Sequence, residues 1–481
     1  MKTLNKRRVV DRAAHWGITL GGATVILVIL TLFGFIFLEV FPLLKGASVV
    51  GKSDCSLSGK VVSVGIDEYQ EIAYAVYEDG NIDFISISDG KPIKRHSIKD
   101  VNGSTITAVC NDKGRSVMGT KDGRILSVNI GFSVSFENDD RIITPEIDDE
   151  EIVFTNEEEI AIQHIASNSD EGVSVTVFYT EGGRLILKST EIEETLFGGE
   201  EKIEAITDIT AMLATHAQTT SDKLAEQERN LQVTSLAIDY FTENLYVGTA
   251  HGEVIHINVR DRENPLQQER IKVSDESVTS LDFLLGDVSL IVGDEGGKIS
   301  TWMRVRDETA QSGWSLKKIH TVKPHQADIT AIASSPRNKC FVTAASDGTI
   351  QLKHATSEQT LLNMKSVTMP TAIAYSPKAD GILVADSSGT LTHWTISNPH
   401  PETTIKTLLG KVWYEGYEEP EYVWQSTGGS DDFEPKFSLV PLIFGTIKGT
   451  IYALIIAIPL GILSALYTSQ FLHTSLKKVI K

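Results

Sequence analysis

One stretch of about 25 residues recurs along this chain in altered form. VTSLAIDYFTENLYVGTAHGEVIHI begins at Val233, and SVTSLDFLLGDVSLIVGDEGGKISTW follows from Ser277. ITAIASSPRNKCFVTAASDGTIQLK begins at Ile329, PTAIAYSPKADGILVADSSGTLTHW at Pro370, and the earlier ITAVCNDKGRSVMGTKDGRILSV at Ile106. Each copy opens on Thr, then Ala or Ser, then an aliphatic residue. A short apolar run, a turn with Gly and a second alternating run come next. The spacing is 18 in four copies: Thr234 to Gly252, Thr279 to Gly297, Thr330 to Gly348 and Thr371 to Gly389. From Thr107 to Gly123 it is 16.

The turns give the count. Gly80, Gly123, Gly183, Gly252, Gly297, Gly348 and Gly389 each follow Asp, Gly, His or Ser between two apolar runs. Glycine supplies the positive φ that such a hairpin needs. Seven units over about 345 residues make about 49 residues each, the length of a four-stranded propeller blade. The fold class expected is therefore mixed: two transmembrane helices flanking a large all-β, seven-bladed propeller. The pattern resembles WD40-like propellers. A regular Trp-Asp pair is missing, although Trp302 and Trp394 take similar late positions in their units. Two units are stretched, with 60 residues from Gly123 to Gly183 and 69 from Gly183 to Gly252. The surplus holds an acidic segment near Asp139–Glu159. It also holds residues 203–232, whose helical composition suggests a surface helix, or one that docks a partner.

The flanks are of another kind. Gly17 to Leu38 is 22 residues without a charge, and Gly449 to Ser469 is 21. A run of about 20 spans a bilayer core as a helix. Lys2, Lys6, Arg7, Arg8 and Arg12 precede the first run, and His473, Lys477, Lys478 and Lys481 follow the second. By the positive-inside rule both ends are cytoplasmic and everything between lies outside. The chain carries 44 basic and 64 acidic residues, net −20, with the acid in the middle. That balance argues against nucleic-acid binding. Cys55, Cys110 and Cys340 lack metal spacing and allow at most one disulfide. The expected domains are 1–45, basic N-terminus and first helix; 55–400, the propeller; 401–437, an acidic and aromatic connector; and 438–481, the second helix.

Gly46 to Ser53 reads GASVVGKS, the spelling of a phosphate-binding P-loop. The loop needs a buried strand before it and a helix after it. A membrane helix precedes it here and DCSLSGK follows, so a flexible connector is the better expectation. The dispersed histidines have no ligand spacing, and no nucleophile motif occurs. An enzyme, a resident metal and a cofactor are not expected.

The second helix carries more than an anchor requires. Gly445, Gly449, Ala453, Ala457, Gly461 and Ala465 fall at every fourth position, a face on which another helix can pack closely. Pro459 adds a kink, and Lys448 is a snorkelling residue near the outer end. From Phe437 onward the chain resembles the start of an ABC-importer permease, closest to the PstC-type permease of phosphate importers. The aromatic and acidic VWYEGYEEP from Val412, the Leu-Val-Pro-Leu-Ile-x-Gly-Thr sequence at Leu439 to Thr446 and the Leu-Tyr-x-Ser end at Leu466 to Ser469 carry the likeness. The resemblance implies the N-terminal part of an inner-membrane phosphate permease with a propeller inserted in a periplasmic loop. It implies as partners a second permease subunit, separate ATP-binding subunits that hydrolyse ATP, and a periplasmic phosphate-binding protein. The alternative is a membrane-tethered propeller that serves only as an interaction scaffold.

Overall fold

The computed structural model describes residues 2–41, 45–112, 114–138, 140–155, 159–170, 172–194, 200–213, 232–310, 312–430 and 432–471. Seven four-stranded antiparallel sheets make the propeller. Blades 1 to 6 occupy residues 61–97, 106–155, 162–208, 233–272, 278–322 and 329–365. Blade 7 takes three strands from 370–397, and its outer strand is Ser48–Ser56. The innermost strands of neighbouring blades touch around the ring.

The second strand of a blade is covered on both sides by its neighbours. It therefore reads as a continuous apolar or small run, such as Ile72–Tyr77, Ser289–Asp294 and Gly381–Asp386, all fully buried. The core is a series of inter-blade layers: Val76, Ile82 and Phe84 of blade 1 pack against Ile106, Met118 and Leu126 of blade 2. All seven glycine turns lie between the second and third strands, with φ from 72° at Gly252 to 85° at Gly348.

The recurrent threonine has a structural reason. Every innermost strand slips register by one residue after its first position. In blades 2, 4, 5, 6 and 7 the unpaired residue is Thr107, Thr234, Thr279, Thr330 or Thr371. Its hydroxyl donates to a carbonyl on the second strand or the next blade, as from Thr330 to Ala344 at 3.2 Å and from Thr371 to Ala385 at 3.3 Å. The side chain thus covers a carbonyl that the bulge exposes.

The P-loop spelling resolves into this ring. Lys52 lies opposite Trp394, Ser53 opposite His393 and Asp54 opposite Thr392, in the antiparallel ladder that closes blade 7. Its backbone is committed to a sheet edge and cradles no phosphate, and it is not a flexible connector either. The strand Ser48–Ser56 starts ahead of the 55–400 span and belongs to the propeller. The three cysteines are free, so the disulfide that the sequence allowed is not formed.

The stretched units are extended hairpins. In blade 2 the strands Arg124–Glu137 and Asp140–Thr155 pair along their length, so the acidic segment is largely strand. This hairpin leans on blade 1: the Arg141 guanidinium lies 3.9 Å from the Tyr69 ring centre and pairs with Glu71. In blade 3, Glu200–Asp208 is a strand on Leu185–Glu194, and Thr210–Leu213 is a 3-10 turn. The helix expected over 203–232 is therefore absent from its first part, where pairing with blade 3 outweighs local preference. Residues 214–231 lie outside the described residues.

Strand alternation gives the ring two faces. The glycine turns lie on one, the glycine face. The other holds the turns between first and second strands and between third and fourth. Ser48 pairs with Ser397 at the edge of this second face. The helix Lys2–Val40 therefore enters there and the chain leaves blade 7 there, so it is called the root face. Within the first helix, His15–Val40 is long and apolar enough to cross a membrane, as is the C-terminal helix Val440–Gln470.

Candidate interaction site: the root face and its strap

Residues 398–438, which include the connector expected at 401–437, form a folded strap over blades 5 and 6. Thr404 caps a short helix, Ile405–Leu409, through a reciprocal capping box with Thr407. A bridge joins Val412 to Glu421, and Trp424-Gln425 pairs with Lys436-Phe437. The Leu439 amide donates to Leu408 O at 2.8 Å, and the C-terminal helix starts one residue later.

The strap is bonded to the propeller by polar groups, of which Lys339 and His320 are buried. The Lys339 ammonium, beside the first turn of blade 6, meets the Glu415 carboxylate and Leu285 O. His320 shares a hydrogen bond with Trp413 O at 2.9 Å, and its other ring nitrogen lies 3.3 Å from Glu358 Oε1. Lys406 of the short helix reaches the other oxygen of Glu358 at 2.5 Å. Lys436 is buried among three rings, with centres 4.8 Å away for Phe433, 5.6 Å for Tyr414 and 5.9 Å for Tyr417. This cage gives the aromatic residues of VWYEGYEEP a packing role. Beside it burial pushes the Glu434 carboxyl up to about 7. Its Oε1 atom has no hydrogen-bond partner, nor has Ser438 Oγ at the foot of the helix.

A cavity of about 1060 Å³ opens on the root face, at the ends of the inner strands of blades 2 to 6. Its lining includes Cys110, Asn168, Tyr240, Asp282, Ser334 and, from the strap, Asp432. Asp282 accepts from the Ser334 hydroxyl at 2.9 Å and its amide at 3.1 Å; burial nevertheless raises its carboxyl to about 6. Burial also pushes the Cys110 thiol up to about 11, so it is not a nucleophile at neutral pH. Its charged lining consists of Asp112, Asp282, Asp287, Asp432 and Arg337. Among the described residues no three His, Cys, Asp or Glu are placed to hold a metal ion.

The buried histidines are structural. His256 shares a hydrogen bond with Asn244 at 2.9 Å, His354 with Ser357 at 2.9 Å and His325 with Thr343 at 2.8 Å. Burial pushes His256 and His354 down to about 3 and His325 to about 4, so all three are neutral. Trp302 and Trp394 stand at equivalent positions, each opposite the second residue of a second strand. In blade 6 that position is Lys353, fully buried, whose ammonium donates to Lys323 O at 2.6 Å and to Gln351 Oε1 at 2.5 Å.

The small residues of the C-terminal helix, Gly445, Gly449, Ala453, Ala457, Gly461 and Ala465, are all exposed. A Cβ built on Gly445, Gly449 or Gly461 would meet nothing within 4 Å. They share one helix and are apart from the strap network and the cavity.

With this geometry in hand, known proteins fall into place. The WD domain, G-beta repeat profile matches residues 316–352. That window starts in the outer strand of blade 5 and ends in the third strand of blade 6. Eukaryotic translation initiation factor 3 subunit I of Bombyx mori is 31% identical over 113 residues, 24% of this chain and 32% of its own length. The chain thus spans about a third of that curated relative. The β-propeller domain of Myceliophteria thermophila Cps50 (Swd1) superposes with a TM-score of 0.50 at 11% identity, covering 73% of this chain and all of that one. This chain is similar to these proteins in carrying a WD repeat on a seven-bladed propeller. None of the three matches is to a permease.

Proposed function

We propose that the chain is a membrane-tethered β-propeller that serves as a protein interaction module. The observation that carries this reading is the common root of both apolar helices on one face, one of them joined to blades 5 and 6 by the strap. WD-repeat propellers present broad surfaces to protein partners, which supports this reading. The basic flanks favour an orientation with both helix ends in the cytoplasm and the propeller outside it. Adding a membrane-impermeant protease to sealed right-side-out and inside-out vesicles tests this. Cleavage of the propeller only in right-side-out vesicles is the expected result. Cleavage only in inverted vesicles overturns the topology, and release of the intact chain by alkaline carbonate overturns the tether.

A second reading deepens the first: the chain is the N-terminal part of a phosphate-importer permease that carries the propeller as a periplasmic insertion. The uncovered small-residue face from Gly445 to Ala465 favours it, since a lone anchor does not need one. The partners would be a second permease subunit, ATP-binding subunits that supply the hydrolysis, and a periplasmic phosphate-binding protein. A cysteine at Gly449, cross-linked in native membranes and read by mass spectrometry, tests it. A cross-link to a polytopic permease helix, lost with Gly445→Leu, supports it. A cross-link only to lipid, with phosphate uptake unchanged in cells lacking the chain, sinks it.

A further inference from the structure

The exposed apolar side chains of the propeller are divided unequally between its faces. Toward the glycine face the exposed large hydrophobics among the described residues are Val367 and Met369 in a loop, and Ile152 and Ile206 on outer strands. The root face exposes Val50 of blade 7, Ile93 of blade 1, Phe136 of blade 2, Phe241 and Leu266 of blade 4 and Trp314 of blade 5. Phe136 is 70% exposed and Val50 68%. The strap, bonded to the same face, adds Ile405 at 80% exposure and Trp424 at 42%.

Scattered singly, such side chains are ordinary on a protein surface; what marks these is that they share one face with the roots of both apolar helices. Three features identify what covers that face. Of these side chains only Phe241 lines the cavity; the others stand apart from it and form no anchor pocket of the kind a protein partner would require. They are spread around the ring, at strand ends and turns of one face, so they define a plane. Both membrane helices start from that plane. The C-terminal one has no slack: Ser438 is fully buried, Leu439 is hydrogen-bonded to Leu408, and the helix begins at Val440. Large apolar and aromatic side chains in a plane beside helix roots are suited to the boundary between lipid headgroups and acyl chains.

We infer that the propeller sits with its root face on the bilayer, Val50, Phe136, Phe241 and Trp314 dipping into the lipid interface. The occupant of this face is a lipid surface. Glu137 and Asp140 beside Phe136 stay at headgroup level, which favours a zwitterionic membrane over an anionic one. The central cavity then opens toward the bilayer, and the glycine face is left for partners. The inference rests on the tethered reading above.

The test uses the full chain reconstituted in phosphatidylcholine–phosphatidylethanolamine vesicles. Spin labels are placed singly at Phe136→Cys, Phe241→Cys, Val367→Cys and Ile455→Cys in a Cys110→Ser background, since Cys110 is partly exposed in the cavity; Cys55 and Cys340 are buried and do not compete. Power-saturation spectroscopy compares collisions with oxygen, which enters lipid, and with a water-soluble nickel chelate. The ratio of oxygen to nickel accessibility should be at least about threefold higher at 136 and 241 than at 367. Equal ratios at 136, 241 and 367, with 455 in lipid, overturn the proposal and leave the tether standing. A water-exposed 455 overturns the tether itself. Labels at 136 shielded from both reagents indicate a protein contact and overturn the lipid assignment.

Discussion

Single residues decide whether the blades can pack. At Gly252, φ is +72°, and a Cβ would come within 2.2 Å of Ser274 O and 2.4 Å of Glu276 O. Neither carbonyl can move without opening the loop into blade 5. Gly252→Ala should therefore destabilise the chain by about 3 kcal/mol, combining left-handed strain with a backbone clash. Gly416→Ala, at φ +80° with nothing within 4 Å, should cost only about 1 kcal/mol. Thermal unfolding of the detergent-solubilised chain distinguishes the two. Glu434 gives a pH dependence. Its folded pKa, about 7, lies above the ordinary value of 4.5, so the folded state holds the proton more tightly. This contribution is complete below pH 4.5 and is lost as pH rises through 7, by up to about 3 kcal/mol. The wild type should lose more thermal stability between pH 5 and pH 8 than Glu434→Gln, and equal losses would refute the assignment.

At the scale of elements, the ring depends on one strand borrowed from the far end of the chain. A protein starting at residue 46 keeps Ser48–Ser56 and should fold as a closed ring. One starting at residue 57 exposes the edge of the strand Thr390–Ser397 and should aggregate. Light scattering after refolding separates these outcomes. The strap depends on Lys339 and Glu415: Lys339→Met leaves a buried carboxylate alone and should cost about 3–5 kcal/mol. Adding Glu415→Gln should recover part of that loss, and protease cleavage within 398–438 reports it. The blades were legible in the sequence because their signals are local. A glycine at positive φ and a threonine in a bulge recur at fixed offsets whatever surrounds them. The strap was not legible, because Lys339 and Glu415 meet only in the folded chain and an acidic, aromatic segment looks like any polar linker. The strand at 46–53 was hidden by its partner: nothing near Lys52 announces Trp394, and β-pairing over that distance leaves no local period. Over 203–213 the expected helix gives way for the same reason, since Ile203 and Ile206 answer to strand Leu185–Glu194 and not to their neighbours.

For the whole molecule, the two faces divide the work. The root face carries both helices, the strap and the exposed aromatic residues, and the glycine face carries the seven glycine turns. Partners of the propeller should therefore be disrupted by charge reversal at Asp79, Asp122 or Asp347 on the glycine face, by about tenfold in affinity where the residue lies at the interface core. Reversal at Asp307, on the root face, should leave them unaffected, and a pull-down with each variant in native membrane extract reads the difference.

The borrowed strand also sets an order of events in biosynthesis. Ser48 cannot meet Ser397 until 349 further residues have been made. At about 5–20 residues per second this is a wait of about 17–70 s. Throughout it the first helix is already available to the membrane, and the unfinished blades stand as an open fan with one raw edge. A stall between blades 6 and 7 therefore leaves a chain that carries six blades and cannot close its ring.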